Sequence, residues 1–279
     1  NGEVIENCTI VFNDGKITAI GADIAAPTMG TMINAEGKHV YPGFIAPSKS
    51  LGLVEVDAVR ASDDQDEIGE MIPHVRSLIA YNAESKVVES MRPNGVLIGQ
   101  VTPVGGTISG TSSIVQFDAW NWEDAALKTD DGIHMNWPNL FRRGRWWMGE
   151  ERGYIPNKDY GKEMDDIKMF FQNSKAYGKA GDKEKNLPFA AMQGLFDGSQ
   201  RLYIHADGEK EMTDGVTMAK EMGVKNVVIV GGYRANKIAG FLKQHNVAVL
   251  VERTHALPNF EDDDYLRGFA IHDSALYWA

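Results

Sequence analysis

Several short stretches of the sequence combine residue types that can bind ions or small ligands. Glycine and hydroxyl residues dominate 102–113 (TPVGGTISGTSS), whose backbone amides could cradle an anion or simply form a structural turn. This stretch is not a nucleotide-binding P-loop, because it lacks the Gly-Lys-Ser/Thr ending. Gly231 and Gly232 follow an apolar run and precede a helical pattern, which favours a tight turn over a phosphate site. None of these stretches specifies a reaction by itself.

Two further stretches are rich in one kind of side chain. Acidic residues cluster over 63–70 without the glycine and glutamate spacing of a calcium loop, so we expect a solvated face there. Most of the tryptophans lie between residues 120 and 147, close to Arg142, Arg143 and Arg145. Such residues could line a ligand-binding cleft or pack inside a long insertion. Of these two interpretations, the sequence favours packing.

Composition and charge exclude several classes of function. Lys and Arg number 28 against 39 Asp and Glu, and the net charge of −11 argues against a nucleic-acid or anionic-membrane surface. Cys8 is the single cysteine, so there is no intramolecular disulfide and no metal site built from cysteines. No apolar run reaches the roughly 20 residues of a spanning helix. We therefore expect a small-molecule substrate or ligand.

Other properties of the protein stay open at this stage. A protein partner is the alternative to a small ligand, and whether the protein associates into a homo-oligomer is left open. The compartment is either the cytoplasm or, after removal of a signal peptide, the periplasm.

The elements that must position these residues change in character near residue 40. Residues 1–40 alternate short apolar runs with turns, and Asn13-Asp14-Gly15 between two β-prone runs predicts a hairpin in a small, incomplete β-sandwich module. Between residues 41 and 279, apolar runs alternate with helical patterns. The predicted strands are 40–45, 95–102, 114–117, 133–137, 202–205, 226–230, 247–251 and 269–271.

Helical periodicity is clearest in the second half of the chain. Between 205 and 226, Met212, Val216, Ala219 and Met222 share one face of a predicted helix that Gly223 ends. Another helix is predicted between 232 and 247. Strands that alternate with helices indicate an α/β protein with a parallel sheet.

Chain length conflicts with this pattern at three places. The stretch before the strand at 269–271 is too short for a crossover helix, so we expect a segment to be missing near 264–268. The chain ends at Ala279 directly after that strand, which predicts a missing final helix. Because the β module begins in mid-pattern at Asn1, we also expect residues before it.

Four short motifs resemble the amidohydrolase superfamily, in particular its imidazolonepropionase-like branch. They are Ile33-Asn34-Ala35-Glu36-Gly37-Lys38, Val40-Tyr41-Pro42-Gly43-Phe44-Ile45, Ile204-His205-Ala206-Asp207 and Ile271-His272-Asp273-Ser274. The resemblance covers nearly the whole chain. It implies a TIM-like (β/α)8 barrel over residues 41–279, with one or two divalent cations, usually zinc, at the carboxyl ends of the strands. Proteins of this family hydrolyse non-peptide C–N bonds in small polar or cyclic substrates.

The same resemblance assigns roles to individual residues and shows where the sequence departs from the family. It implies that His205 is a metal ligand on the fifth strand and that Asp273 is both a ligand and the general base. The first-strand His-x-His is replaced by Ser48-Lys49-Ser50, and Gly231-Gly232-Tyr233 stands where the sixth-strand histidine is expected. This is a degenerate metal site, because serine is a poor zinc ligand and Lys49 adds a positive charge.

Three hypotheses about function follow from these departures. In the first, one cation is held by His205, Asp273 and a recruited third ligand, either His134 on the predicted fourth strand or Asp207, and hydrolysis is retained. In the second, the barrel is catalytically inactive and binds a small ligand or a protein partner. In the third, the chemistry is metal-free, with Lys49 as a base or Schiff-base amine. His272 is a weaker recruit, because it points away from Asp273 on a regular strand.

Overall fold

The computed structural model of the protein describes residues 4–25, 27–180 and 184–252. The predicted strand at 269–271, the residue Asp273 and the junction near 264–268 lie outside these residues. The chain divides into two compact units after Pro42.

The first unit contains one antiparallel hairpin. Strand β1 (Thr9–Asn13) pairs with β2 (Lys16–Gly21), and Asp14 and Gly15 form the turn between them with φ of 49° and 70°. Positive φ at both central residues is what a type I′ turn requires, and Asp-Gly is a preferred sequence for it. The predicted hairpin is confirmed.

The second unit contains the remaining strands and the helices. Its strands are β3 (Phe44–Lys49), β4 (Val96–Val101), β5 (Ile108–Gln116), β6 (Ala126–Asn136), β7 (Phe141–Arg143), β8 (Tyr154–Pro156), β9 (Arg201–Ala206), β10 (Val227–Gly231) and β11 (Ala248–Val251). Its helices are α1 (Lys86–Met91), α2 (Trp122–Ala125), α3 (Tyr160–Lys179), α4 (Leu187–Ala191), α5 (Gln193–Asp197), α6 (Glu209–Met222) and α7 (Ala239–Gln244). Short 3-10 helices span Arg60–Ser62, Ser77–Ala80, Arg92–Asn94, Trp146–Met148 and Ala235–Ile238.

A sheet of seven strands in the order β11-β10-β9-β6-β5-β4-β3 organises this unit. Six of its strands run in the same direction, and β5 is antiparallel to both of its neighbours. The predicted third strand at 114–117 is therefore longer than expected and reversed in direction. The sequence did not indicate that β5 is antiparallel. The strand is buried along most of its length and lacks the alternation of buried and exposed residues that is typical of antiparallel strands.

The sheet is curved so strongly that its two edges approach each other. Six strand spacings of about 4.8 Å would separate the edges of a flat sheet by about 29 Å. Instead, Lys49 at the end of β3 forms an ion pair of 3.1 Å with Glu252, the residue after β11. The sheet is thus nearly closed, as in a barrel, while a complete (β/α)8 barrel stays a prediction.

The two faces of the sheet differ in chemistry, as β9 illustrates. Leu202 and Ile204 belong to the main hydrophobic core, together with residues of α3 and α6. The alternate residues, Tyr203 and His205, instead contact side chains inside the curved sheet. The predicted helical face of α6 is confirmed, since Met212, Val216, Ala219 and Met222 are all buried. Gly223 ends this helix in a left-handed conformation.

None of the helices in the part of the chain that the structure describes has the length and apolar character needed to cross a bilayer.

Candidate active site

Two histidines meet inside the curved sheet, near the carboxyl ends of adjacent parallel strands. His134 lies on β6 and His205 on β9, and the register pairs His134 with Tyr203 and Asn136 with His205. The distance from Nδ1 of His134 to Nε2 of His205 is 2.9 Å. Because the residues are 71 positions apart, this contact is a product of the sheet register. The structure thus brings together two of the three predicted metal ligands.

A serine on β5 fixes the proton positions of this pair. Ser112 Oγ lies 2.9 Å from Nε2 of His134, and it also contacts the Gln100 side-chain amide at 3.1 Å and the Gly132 carbonyl at 3.2 Å. The carbonyl only accepts and the amide N–H only donates, so the single hydroxyl hydrogen goes to Gly132. From this arrangement we infer that His134 donates from Nε2 to Ser112.

The position of the proton on His205 follows from the same reasoning. His134 is fully buried, and burial together with the neighbouring His205 holds its pKa well below 6.5. A neutral His134 that is protonated on Nε2 has a lone pair on Nδ1, which accepts the Nε2–H of His205. Burial is also the main cause that lowers the pKa of His205, so both rings are neutral at pH 7.

The polar contacts continue from Ser112 to a buried carboxylate that sequence reasoning missed. Gln100 Nε2 lies 3.4 Å from Asp131, which is 1% exposed and also accepts from Tyr203 and Arg201. Burial alone would raise the pKa of Asp131, but hydrogen bonds from Lys128 and Tyr203 outweigh it and the pKa is lowered. Asp131 is therefore an ionised carboxylate that is linked to His134 through Gln100 and Ser112. Its position in a strand gave no signal, since an interior polar residue of a barrel looks like a solvent-facing one.

The Ser48-Lys49-Ser50 tripeptide lies at the end of β3, where the first-strand metal ligands were expected. Ser48 has φ of 51°, and its N–H donates to Gln100 Oε1 at 3.0 Å. Its hydroxyl oxygen is buried without a hydrogen-bond partner in the described chain. Lys49 and its ion-pair partner Glu252 lie close enough to His205 to shift its pKa in opposite directions. This region therefore presents a cation and a carboxylate beside the histidine pair.

Two glycines, Gly231 and Gly232, occupy the position where the sixth-strand metal ligand was expected. Gly231 and Gly232 have φ of 95° and 63°, which supports the interpretation as a tight strand-to-helix turn. A Cβ atom at Gly231 would overlap the carboxylate of Asp207, so the space of a side chain here is taken by Asp207.

The glycine- and hydroxyl-rich stretch is a loop only from Thr102 to Thr107, because β5 begins at Ile108. The amide groups of Val104, Thr107 and Ile108 donate to carbonyls of residues 65 and 70. Asn136 at the end of β6 donates to the carbonyls of Gly105 and Gly106. These three amides are occupied, which favours the interpretation of this loop as a structural turn over that of an anion cradle.

The histidine pair offers a divalent cation two ligands. A shift of the His205 proton from Nε2 to Nδ1 would leave a lone pair on each of the two facing nitrogens without disturbing the bond to Ser112. Two nitrogens bound tetrahedrally at about 2.0–2.1 Å lie about 3.3 Å apart, so to bind one cation the observed 2.9 Å would have to widen and the two rings would have to turn toward a shared point. Within residues 4–25, 27–180 and 184–252, no group of three or more His, Cys, Asp or Glu side chains could hold a metal. Asp273, the third predicted ligand, lies outside these residues.

Comparison with known proteins places this geometry in a fold class. No protein-family model and no curated protein sequence matches the chain. The crystal structure of an amidohydrolase from Thermotoga maritima MSB8 superimposes with a TM-score of 0.79 and 20% sequence identity, over 97% of this chain and 72% of that one. At 20% identity, this superposition shows a shared fold and nothing more specific. The chain thus shares the α/β fold of this solved structure, with a histidine pair near the carboxyl ends of its parallel strands.

Proposed function

We propose that the chain is an amidohydrolase-like hydrolase that acts on non-peptide C–N bonds of a small polar or cyclic substrate. One divalent cation, with zinc as the first candidate, would be held by His134, His205 and Asp273. The observation that supports this proposal is the approach of two neutral imidazole nitrogens to 2.9 Å near the carboxyl ends of two parallel strands. Active sites of barrels with parallel strands lie at that end.

In this proposal the residues have distinct tasks. A bound divalent cation supplies a Lewis acid that polarises a carbonyl group and activates water. His134 is oriented by its Nε2–H bond to Ser112, as metal-binding histidines usually are through their second nitrogen. Asp273 would take the proton of the attacking water and return it to the leaving nitrogen. Lys49 and Glu252, beside His205, would contact the polar groups of the substrate.

Elemental analysis of the full-length protein, purified without chelator, tests this proposal. We expect close to one equivalent of zinc, manganese or iron, lost in His134→Ala, His205→Ala and Asp273→Ala. His245→Ala is the matched control, because His245 packs against Phe241 and has no place in the candidate site. Metal-free protein, or metal that persists in both strand-histidine variants, would refute the proposal.

A second candidate function is a barrel that binds a small ligand without hydrolysing it. The observation that favours it is that the polar groups from Asp131 through Gln100 and Ser112 to the histidines already satisfy one another. Turnover of a panel of cyclic amides and N-acyl amino acids distinguishes the two functions. A turnover number near 1 s⁻¹ or above, which is about the lower end for typical enzymes, would exclude the binding-only candidate.

The metal-free hypothesis gains no support from the position of Lys49. An amine nucleophile is activated by an apolar pocket or by a neighbouring cation. Lys49 instead contacts the carboxylate of Glu252, and its side chain is 47% exposed.

A further inference from the structure

The segment between β6 and α3 contains a cavity that the proposed function does not use. Strands β7 and β8 form a short hairpin in this segment, and the cavity of about 520 Å³ lies beside it. It is lined by Arg143, Gly144, Trp146, Trp147, Arg152 and Gly153. Its volume is within the range of small-molecule pockets, roughly 300–1,000 Å³.

The loop that forms this cavity is held together by its own contacts. Arg142 and Glu150 form a two-pronged ion pair, and Glu150 also accepts from the Arg145 amide at 2.7 Å. The hydrogen bond from Arg142 is the main cause that lowers the pKa of Glu150 to about 2, so the pair persists across the physiological pH range. The amide of Gly144 donates to the carbonyl of Gly153 at 2.8 Å and closes the base of the loop.

The positive charges of the cavity have no acidic partner in the described chain. The other arginines that the structure describes are Arg60, Arg76, Arg92, Arg142, Arg201 and Arg234, and each forms an ion pair with a carboxylate. No ion pair with a described carboxylate is found for Arg143 or Arg152, the two arginines that line the cavity, whereas Arg145 lies near enough to Glu150 to lower its pKa. The chain carries a net charge of −11, so unpaired guanidinium groups concentrated on one loop are not a general property of its surface. A ligand with a negative charge would pair with these two guanidinium groups.

The tryptophan side chains of the cavity are mostly exposed. The side chains of Trp146 and Trp147 are 59% and 68% exposed, with ring planes at 86° to each other. The guanidinium of Arg152 lies over the Trp146 ring, 5.3 Å from its centroid. Packing of the tryptophans inside the insertion, which the sequence favoured, is therefore wrong for these two residues and for Trp120, which is 89% exposed, and correct for Trp137, which is buried. Exposed indole rings beside unpaired arginines suit a flat apolar ligand with an anionic group.

We propose that this cavity binds a small organic anion with a planar apolar body. The carboxylate or phosphate of the ligand lies between Arg143 and Arg152, and its ring packs against Trp146 and Trp147. The inference is independent of hydrolysis and of any metal, because none of the residues that line this cavity belongs to the candidate active site.

Titration of the full chain with matched aromatic probes tests this proposal. Benzoate and phenyl phosphate carry the two kinds of anion, and benzamide and phenol are their neutral counterparts. Tryptophan fluorescence and calorimetry report binding, at low and at high salt. We expect saturable binding of at least one anion, at least tenfold tighter than its neutral counterpart and weakened by salt; the preferred anion identifies the ligand class.

Variants at the cavity complete the test. Arg143→Gln with Arg152→Gln should weaken the anion at least tenfold, and Trp147→Ala should weaken both charged and neutral probes. Arg60→Gln is the matched control, because Arg60 is an exposed arginine of another loop that pairs with Asp66. No saturable binding of either anion, or equal affinity in the double variant, would overturn the proposal. A concentration-dependent dimer that the double variant abolishes would assign the surface to a second copy and also overturn it.

Discussion

Nδ1 of His134 and Nε2 of His205 lie 2.9 Å apart inside the sheet, and one of these two nitrogens must carry the proton between them. The Ser112 hydroxyl decides which, because it engages Nε2 of His134 and so leaves Nδ1 to accept. Two neutral imidazoles in direct contact are compatible with a stable protein and with a bound cation. The predictions below test the parts of this arrangement separately.

Acidification should destabilise the protein through the two histidines. Both pKa values are lowered in the folded state, so the unfolded chain, with pKa near 6.5, binds protons first as pH falls. The free energy of unfolding should therefore decrease below about pH 6.5, by up to about 1.4 kcal/mol per pH unit for each histidine. Urea unfolding between pH 7.5 and 5.5 measures the slope. The slope should be shallower in His205→Gln and unchanged in His39→Gln, which alters an exposed histidine; equal slopes in all three proteins would contradict the assignment.

Removal of the Ser112 hydroxyl should leave a buried N–H of His134 without an acceptor. An unsatisfied buried donor costs about 1–3 kcal/mol, so Ser112→Ala should lower the free energy of unfolding by that amount. Nitrogen NMR of the His134 ring should also show a loss of the Nε2–H tautomer preference. Ser174→Ala is the control, because Ser174 is equally buried but bonds within helix α3 to the Phe170 carbonyl. Equal effects of the two substitutions would indicate simple loss of packing.

The ion pair that joins the two edges of the sheet should tune the pKa of His205 more than it affects stability. Partly exposed pairs contribute roughly 0–1 kcal/mol, so Lys49→Met should change the free energy of unfolding little. Lys49 lowers the pKa of His205 and Glu252 raises it, so Lys49→Met should raise this pKa and Glu252→Gln should lower it. Proton NMR titration of His205 gives both values. Lys86→Met breaks a comparable exposed pair on α1 and should leave the titration unchanged.

Two adjacent aspartates should respond very differently to the same substitution. Asp131 is 1% exposed and bonds to Lys128, Arg201 and Tyr203, so Asp131→Asn should cost about 1–3 kcal/mol of unfolding free energy. Asp130 forms a partly exposed pair with Arg76 at a φ of 51°, which asparagine tolerates. Asp130→Asn should therefore be nearly neutral. Chemical denaturation of the two variants side by side decides whether the buried carboxylate of Asp131 stabilises the fold.

The sequence by itself determined the local elements of this protein. The helical period of residues 209–222, the hairpin at Asp14-Gly15 and the strand that ends near His205 were all predicted, because each depends on spacing within a few residues. The first strand was placed about four residues too early, since Pro42 and Gly43 belong to the approach to β3. Motif resemblance added the fold class, which the likeness to a solved amidohydrolase supports.

Tertiary structure decided the rest, because pairing partners and register are not encoded by local period. The reversal of β5 places Ser112 beside His134, and the β6–β9 register places His134 beside His205. The curvature of the sheet brings Lys49 to Glu252, across 203 positions of the chain. Gln100 and Asp131 gave no sequence signal, since a polar residue on a strand is expected to face water. Only the strong curvature of the sheet turned that face into an interior, where these side chains form hydrogen bonds with one another instead of with water.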